Sequence, residues 1–129
     1  MDGTYFDTSA LAKLVRTEDG SAQTAELWEH SRGSAVSSEL TITELRRTVR
    51  SESEMVRAKA DEVLNLLYLI PLDRMIIEAA ARLNPQILRT LDALHLASAL
   101  ALEENLIGLV TYDTRMADAA RLYGIPVKP

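Results

Sequence analysis

The chain has 129 residues, of which 47% are hydrophobic and 26% charged, and it contains no cysteine. This composition predicts a single globular domain over residues 1–129 and excludes a disordered chain, a collagen-like repeat and a disulfide framework. The net charge of −5 is the wrong sign for a general nucleic-acid coat protein. No apolar run approaches the roughly 20 residues that cross a bilayer, and no signal-peptide pattern opens the chain, so we expect a cytoplasmic protein without membrane contact.

Short apolar segments alternate with longer segments of helical period along the chain. The first half predicts strands at 4–6 and 35–37, with helices from near Ser9 to before Thr17 and at about 21–31, 41–51 and 54–67. The second half predicts a strand at 69–71, a helix capped by Asp73 and stopped by Asn84-Pro85, a helix at 91–104, a strand at 108–111 and a last helix ending at Gly124. Strands that alternate with helices in this way predict an α/β fold.

Two segments indicate how the layers are arranged. Residues 91–104 are apolar on nearly every side, which is typical of a helix buried in the middle of a domain. The segment 108–111 is short and mostly apolar, as in a parallel strand covered on both faces. The sequence therefore predicts a sandwich with a mainly parallel central sheet of four to five short strands flanked by helices.

Four acidic residues occupy strand-end or helix-start positions. Asp7 directly follows the first strand, Asp113 follows the strand at 108–111, Glu44 opens the helix after the second strand, and Asp92 opens the apolar helix. Ligands of open parallel sheets gather outside the carboxyl ends of the strands, so we expect these side chains to face one crevice.

A cation would resolve the repulsion among four converging carboxylates. An all-oxygen ligand set suits Mg²⁺ or Mn²⁺. Ser9 and Thr111 flank the same crevice, and each could orient an acid or a metal-bound water by hydrogen bonding.

Helix capping is the alternative explanation for each acid. Asp7 and Asp113 could cap the helices that follow them, Thr41-x-x-Glu44 fits the capping-box pattern, and Asp92 would be favoured by the dipole of its helix. The coincidence of all four positions favours the metal site.

Other polar residues near the predicted crevice have two interpretations. His95 lies one turn after Asp92 and is interpreted as a packed, hydrogen-bonded core histidine. Arg46, Arg50 and Arg115 could meet phosphates at the rim, although a solvated helix face is the favoured explanation for each of them.

At these residues the sequence resembles the PIN-domain ribonucleases, and within them the VapC-type toxins of toxin–antitoxin modules. The resemblance covers nearly the whole chain and rests on four segments in order: Tyr5 to Leu11, Ile42 to Arg47, Leu91 to Ala97, and Val110 to Asp113 with the ending Gly124 to Val127. The order of the four segments at this chain length is far more specific than any one of them.

The resemblance implies a PIN-like three-layer sandwich and an endoribonuclease toxin that hydrolyses RNA with Mg²⁺ or Mn²⁺. It implies that Asp7, Glu44, Asp92 and Asp113 are the catalytic, metal-holding quartet, that Ser9 and Thr111 support them, and that His95 is not a ligand. Relatives of this kind form homodimers, leave a 5′-phosphate on the RNA, and are inhibited by a VapB-type antitoxin protein.

Two other functions fit parts of the pattern. A catalytically weak PIN-fold domain would bind a partner peptide through the same carboxylates but would bind no Mn²⁺. A phosphoryl-accepting receiver domain needs paired acids after the first strand, whereas here Asp2 precedes that strand and Asp7 follows it.

Overall fold

A five-stranded parallel sheet organises residues 2–129, which are the residues that the computed structural model describes. The strands are β1 (Gly3–Phe6), β2 (Ala35–Ser38), β3 (Tyr68–Ile70), β4 (Leu106–Val110) and β5 (Val127–Lys128). The helices are α1 (Thr8–Val15), α2 (Ser21–His30), α3 (Leu40–Val49), α4 (Glu54–Leu66), α5 (Arg74–Ala81), α6 (Thr90–Leu100) and α7 (Thr114–Leu122).

The order of the strands places a switch point at the centre of the sheet. The order is β3-β2-β1-β4-β5, with every neighbouring pair parallel. From β1 the chain builds outward through β2 and β3 on one side and through β4 and β5 on the other. A crevice opens at such a reversal, outside the carboxyl ends of the two central strands. Asp7 and Thr111 directly follow those ends.

Two hydrophobic cores cover the two faces of the sheet, and adjacent residues of β1 point into different cores. Tyr5 packs in the core formed with α5, α6 and α7, whereas Phe6 packs in the core formed with α1, α3 and α4. Phe6 also meets Trp28 of α2 edge-to-face, with ring centroids 5.3 Å apart. The alternation follows from the period of two along a strand, and it produces the three-layer sandwich.

Local side-chain caps fix where several helices begin. Asp7, Ser53, Asp73 and Asp113 each accept a hydrogen bond from a backbone N–H in the first turn of the helix that follows. Such caps satisfy donors that the helix itself leaves unpaired. Two of the four predicted metal-site acids are therefore also helix caps, so capping and a role at the site are compatible.

The predicted fold class is confirmed, and boundaries of α6 and β4 are among those corrected. The helix predicted at 91–104 ends at Leu100, and residues 103–105 form a separate turn of 3₁₀ helix. Glu103 has a φ of 52°, a left-handed conformation that cannot continue an α-helix. The helix is also less enclosed than predicted, since Leu91 is 48% exposed. The strand predicted to include Thr111 ends at Val110.

Within residues 2–129, no helix has the length and apolar character needed to span a membrane.

Candidate active site

Asp7 lies buried at the carboxyl end of β1, and both of its carboxylate oxygens accept hydrogen bonds. Oδ1 accepts hydrogen bonds from the Ser9 hydroxyl at 2.6 Å and from the Ala10 backbone N–H at 3.0 Å. The Thr111 hydroxyl donates to Oδ2. The structure thus joins three of the predicted site residues, and the two hydroxyls hold the carboxylate in one orientation.

The environment of Asp7 opposes its ionisation. Burial raises the pKa of Asp7, and the hydrogen bonds from Ser9 and Thr111 offset only part of that effect. A buried carboxylate with a raised pKa and a fixed geometry is a common feature of functional sites.

Glu44 is held by two residues from other elements. The Thr8 hydroxyl donates to Oε1 at 2.6 Å, and His95 Nε2 lies 2.6 Å from the same oxygen. Burial alone would raise the pKa of Glu44, but the hydrogen bonds and the charge of His95 outweigh it, and the pKa is lowered. The capping-box interpretation of Glu44 is wrong, because α3 begins after Glu39 and Glu44 points to His95 and Thr8.

His95 connects Glu44 to the buried hydroxyl of Tyr5. Tyr5 Oη lies 2.7 Å from His95 Nδ1, and burial raises the pKa of Tyr5 well above its usual value, so the phenol keeps its proton. A carboxylate can only accept hydrogen bonds, so Nε2 of His95 must carry a proton. Nε2 therefore donates to Glu44, and Nδ1 shares the second hydrogen bond of the ring with the Tyr5 hydroxyl. This agrees with the interpretation of His95 as a buried, hydrogen-bonded core histidine.

Asp113 and Asp92 complete the acidic set. Asp113 caps α7, where its Oδ1 accepts from the N–H groups of Arg115 and Met116 at 2.9 and 3.2 Å. Its own N–H donates to the Thr111 hydroxyl at 3.1 Å, which links it to the group that holds Asp7. Asp92 lies in the first turn of α6 and is partly buried.

Electrostatics shows that the four acids share one region. The pKa of Asp92 is raised, first by burial and then by the charges of Asp113 and Asp7, with a smaller contribution from Glu44. His95 opposes this rise. Asp92 is thus the acid at which the repulsion within the set is concentrated.

The donor chemistry of this region fits a hard divalent cation, but the side chains are not gathered tightly. The four acids offer only oxygen ligands, which Mg²⁺ and Mn²⁺ prefer. Among residues 2–129, however, no three His, Asp or Glu side chains stand close enough together to hold a metal ion. A bound cation would relieve the repulsion at Asp92, and the acids would have to draw closer around it.

Two residues that hold the acids were not singled out from the sequence. Thr8 donates to Glu44, and Tyr5 orients His95. Thr8 lies between Asp7 and Ser9, so a run of three polar residues after a strand was the available signal. Tyr5 gave no such signal, because a tyrosine in an apolar strand has the pattern of a core residue.

Comparison with known proteins agrees with this geometry. The family model described as PIN domain matches residues 4–122. Ribonuclease VapC46 of Mycobacterium tuberculosis is 39% identical over 128 residues, covering 98% of this chain and 97% of its own. Ribonuclease VapC47 of the same species is 36% identical over 127 residues, covering 93% of this chain and 91% of its own. The chain belongs to the PIN-domain family and, within it, groups with the VapC ribonucleases.

Solved structures share the fold at low sequence identity. Mycobacterium tuberculosis VapC20, a toxin that cleaves the sarcin–ricin loop, aligns with a TM-score of 0.72 and 13% identity over 91% of this chain and 95% of its own. A chain of Rickettsia felis VapBC2, solved bound to promoter DNA, aligns with a TM-score of 0.68 and 19% identity over 97% of both chains. These matches confirm the PIN-like architecture.

Proposed function

We propose that the protein is a metal-dependent endoribonuclease toxin of a toxin–antitoxin module, acting in the cytoplasm. The observation that carries the proposal is the placement of Asp7, Glu44, Asp92 and Asp113 at the switch point of the sheet, where their charges interact. Membership of the PIN-domain family, with VapC ribonucleases as full-length relatives, supports the same function.

In this proposal Asp7, Asp92 and Asp113 are the primary ligands of Mg²⁺ or Mn²⁺, and Glu44 is a further ligand or the base that orients water. When bound, a divalent ion supplies Lewis-acid activation of water and stabilises charge on the phosphate. Ser9 and Thr111 fix Asp7, as Thr8 and His95 fix Glu44.

The reaction is hydrolysis of an RNA phosphodiester. Water forms a bond to phosphorus, the bond from phosphorus to the 3′ oxygen breaks, and that oxygen takes up a proton, which leaves a 5′-phosphate. Within residues 2–129, Oε2 of Glu44 has no hydrogen-bond partner in the protein, because both donors reach Oε1. That free oxygen is suited to accept a hydrogen bond from the attacking water.

The proposal includes two protein partners. A VapB-type antitoxin bearing an arginine would satisfy the carboxylates, since a guanidinium matches carboxylate geometry. A second copy of the chain would form a homodimer. An apolar groove of about 660 Å³ between α5 and α6, lined in part by Ile77, Leu83, Leu88 and Leu94, has the chemistry of such a contact.

The test is cleavage of total RNA by purified, antitoxin-free protein in Mg²⁺ or Mn²⁺, with EDTA and with the Asp7→Asn variant. We expect discrete fragments that require both the metal and Asp7, with at least about 100-fold less cleavage by the variant, because the ion supplies several kcal/mol of transition-state stabilisation. Asp118→Asn is the matched control, since Asp118 lies on the exposed face of α7 with 79% of its side chain accessible. Equal cleavage by wild type and Asp7→Asn would refute the assignment.

The wide spacing of the acids favours a second candidate, a PIN-fold domain that binds a partner protein but is catalytically weak. This domain would fold normally, bind no Mn²⁺ and leave RNA intact. Calorimetric titration with Mn²⁺ separates the two candidates.

A further inference from the structure

A second polar cavity lies directly beside the acidic crevice. It has a volume of about 300 Å³ and is lined in part by Thr8, Ser9, Lys13, Arg16, Thr48 and Tyr112. Thr8 and Ser9 donate hydrogen bonds to Glu44 and Asp7, so the cavity and the candidate active site share a wall. From that wall the cavity runs along α1, whose rise places Lys13 about 6 Å beyond Ser9.

The cavity holds two cationic side chains that are restrained before any ligand arrives. The Lys13 ammonium lies 4.9 Å from the centre of the Tyr112 ring and 3.5 Å from Glu18. Only 18% of the Lys13 side chain and 33% of the Arg16 side chain are exposed. Restraint of this kind lowers the entropic cost of binding an anion.

Arg16 has unused hydrogen-bonding capacity. Its Nε atom is buried and has no hydrogen-bond partner. A Glu18 oxygen lies 3.7 Å from Nε and a Glu52 oxygen lies 3.7 Å from Nη1, distances that give attraction without a hydrogen bond. Arg16 therefore brings to the cavity a positive charge that no carboxylate neutralises through a hydrogen bond.

We propose that this cavity binds a phosphate of the RNA backbone next to the one that is cleaved, with Lys13 and Arg16 as its cationic contacts. The inference rests on the proposed function and adds where the substrate lies. A chain with a net charge of −5 needs local cations to hold a polyanion, and these two adjoin the site of the reaction. Glu18 pairs with both cations and therefore competes with the phosphate for them.

Because Glu18 competes with the phosphate, substituting a cation and substituting Glu18 should change the affinity for RNA in opposite directions. Binding of a fluorescein-labelled 20-nucleotide single-stranded RNA is measured by anisotropy in EDTA over a range of salt concentrations. Lys13→Gln and Arg16→Gln should each weaken binding and reduce the salt slope by about 0.7, the value for one phosphate contact on a single strand. Glu18→Gln should tighten binding, because it frees both cations.

Arg32→Gln is the matched control. Arg32 precedes β2, so it lies at the amino-terminal ends of the strands, opposite the crevice. Its exposed side chain pairs with Glu29 at 3.0 Å. It loses the same charge and should bind RNA like the wild type. Thermal unfolding of each variant checks the fold, and Glu18→Gln still tests the subsite if a cation variant does not fold.

Three results would each overturn the subsite. Glu18→Gln could bind RNA with the affinity of the wild type, Arg16→Gln and Arg32→Gln could lose the same amount of RNA affinity, or the wild type could show no salt-dependent binding. Because the assay contains EDTA, it reads binding apart from cleavage. If the variants bind RNA as expected but the wild type never cuts RNA, the subsite is supported and the proposed function is refuted.

Discussion

At the scale of single residues, the candidate site depends on side chains that hold the acids as much as on the acids themselves. The Tyr5 hydroxyl, His95 and Glu44 form a hydrogen-bonded chain, with 2.7 Å between Tyr5 Oη and His95 Nδ1 and 2.6 Å between His95 Nε2 and Glu44 Oε1. Groups that orient a metal ligand or a base commonly affect activity by one or two orders of magnitude.

Tyr5→Phe removes the first donor of this chain and keeps the ring. We expect kcat for RNA cleavage to fall about tenfold with little change in KM, because Glu44 is less well oriented while the RNA surface is untouched. The free energy of unfolding should fall by about 1 kcal/mol. Tyr68→Phe is the control, since Tyr68 is 56% exposed. A loss of stability with unchanged kcat would assign Tyr5 a structural role only.

The raised pKa of Asp92 predicts a pH dependence of stability in EDTA. A carboxyl whose pKa is higher in the folded state binds protons preferentially there, so the wild type loses stability as pH rises from the unfolded pKa through the folded one. Asp92→Asn cannot titrate. Its advantage over the wild type should be absent at pH 3 and present at pH 7, by roughly 0.5 kcal/mol for a partly screened charge.

Urea unfolding at the two pH values measures this difference, with Asp118→Asn as the control. Addition of Mg²⁺ at pH 7 should stabilise the wild type more than Asp92→Asn, because a ligand of the folded state raises stability according to its affinity. An advantage of Asp92→Asn that is the same at both pH values would mean that repulsion among the acids is not its cause.

At the scale of elements, α6 brings Asp92 and His95 to the site and is anchored by the core. Leu96 is fully buried at its centre, whereas Leu91 at its start is 48% exposed. Leu96→Ala should therefore cost about 2–5 kcal/mol in the free energy of unfolding.

Leu91→Ala, a substitution of the same chemistry on the same helix, should cost less than about 1 kcal/mol. Urea unfolding measures both variants. Equal losses of unfolding free energy in the two variants would contradict the deep burial of Leu96 and the exposure of Leu91.

Sequence periodicity was sufficient for four of the five strands, most of the helices and the order of the layers, but it did not predict β5, which has only two residues. It worked because apolar spacing and capping residues act locally, as at Asp73, which was predicted to cap α5 and does so. It failed at the end of α6, where the left-handed backbone of Glu103 gives no signal in an apolar, helix-favouring segment. It could not identify the partners of Glu44, because they come from α1 and α6, and no local pattern reports a contact between distant segments.

The contact between Asp7 and Thr111 was predictable from the sequence, but the spacing of the four acids was not. That Asp7 and Thr111 adjoin at the carboxyl ends of β1 and β4 follows from the rule for parallel sheets. The distance between the acids does not follow, since they lie on segments that are far apart in the sequence, and no local pattern reports the spacing between such segments. Their roles as metal ligands remain a prediction.

At the scale of the whole molecule, the apolar groove between α5 and α6 predicts self-association. Ile77, which lines the groove, is 49% exposed in the single chain. Sedimentation equilibrium should give the mass of a dimer, and Ile77→Asp should shift it toward the 14.3 kDa monomer, because a charge buried at an interface without a partner is costly.

Met55→Asp is the control for the groove, because Met55 is 79% exposed on α4. A wild type that sediments as a monomer, or equal dissociation by the two variants, would contradict a dimer through this surface.

Calorimetric titration with Mn²⁺ decides whether Asp7, Glu44, Asp92 and Asp113 form one divalent-metal site. We expect saturable binding to the wild type and to Asp118→Asn, and binding that is abolished or strongly weakened in Asp7→Asn and Asp92→Asn. Undiminished Mn²⁺ binding by those two variants, or a folded wild type that binds none, would contradict this assignment.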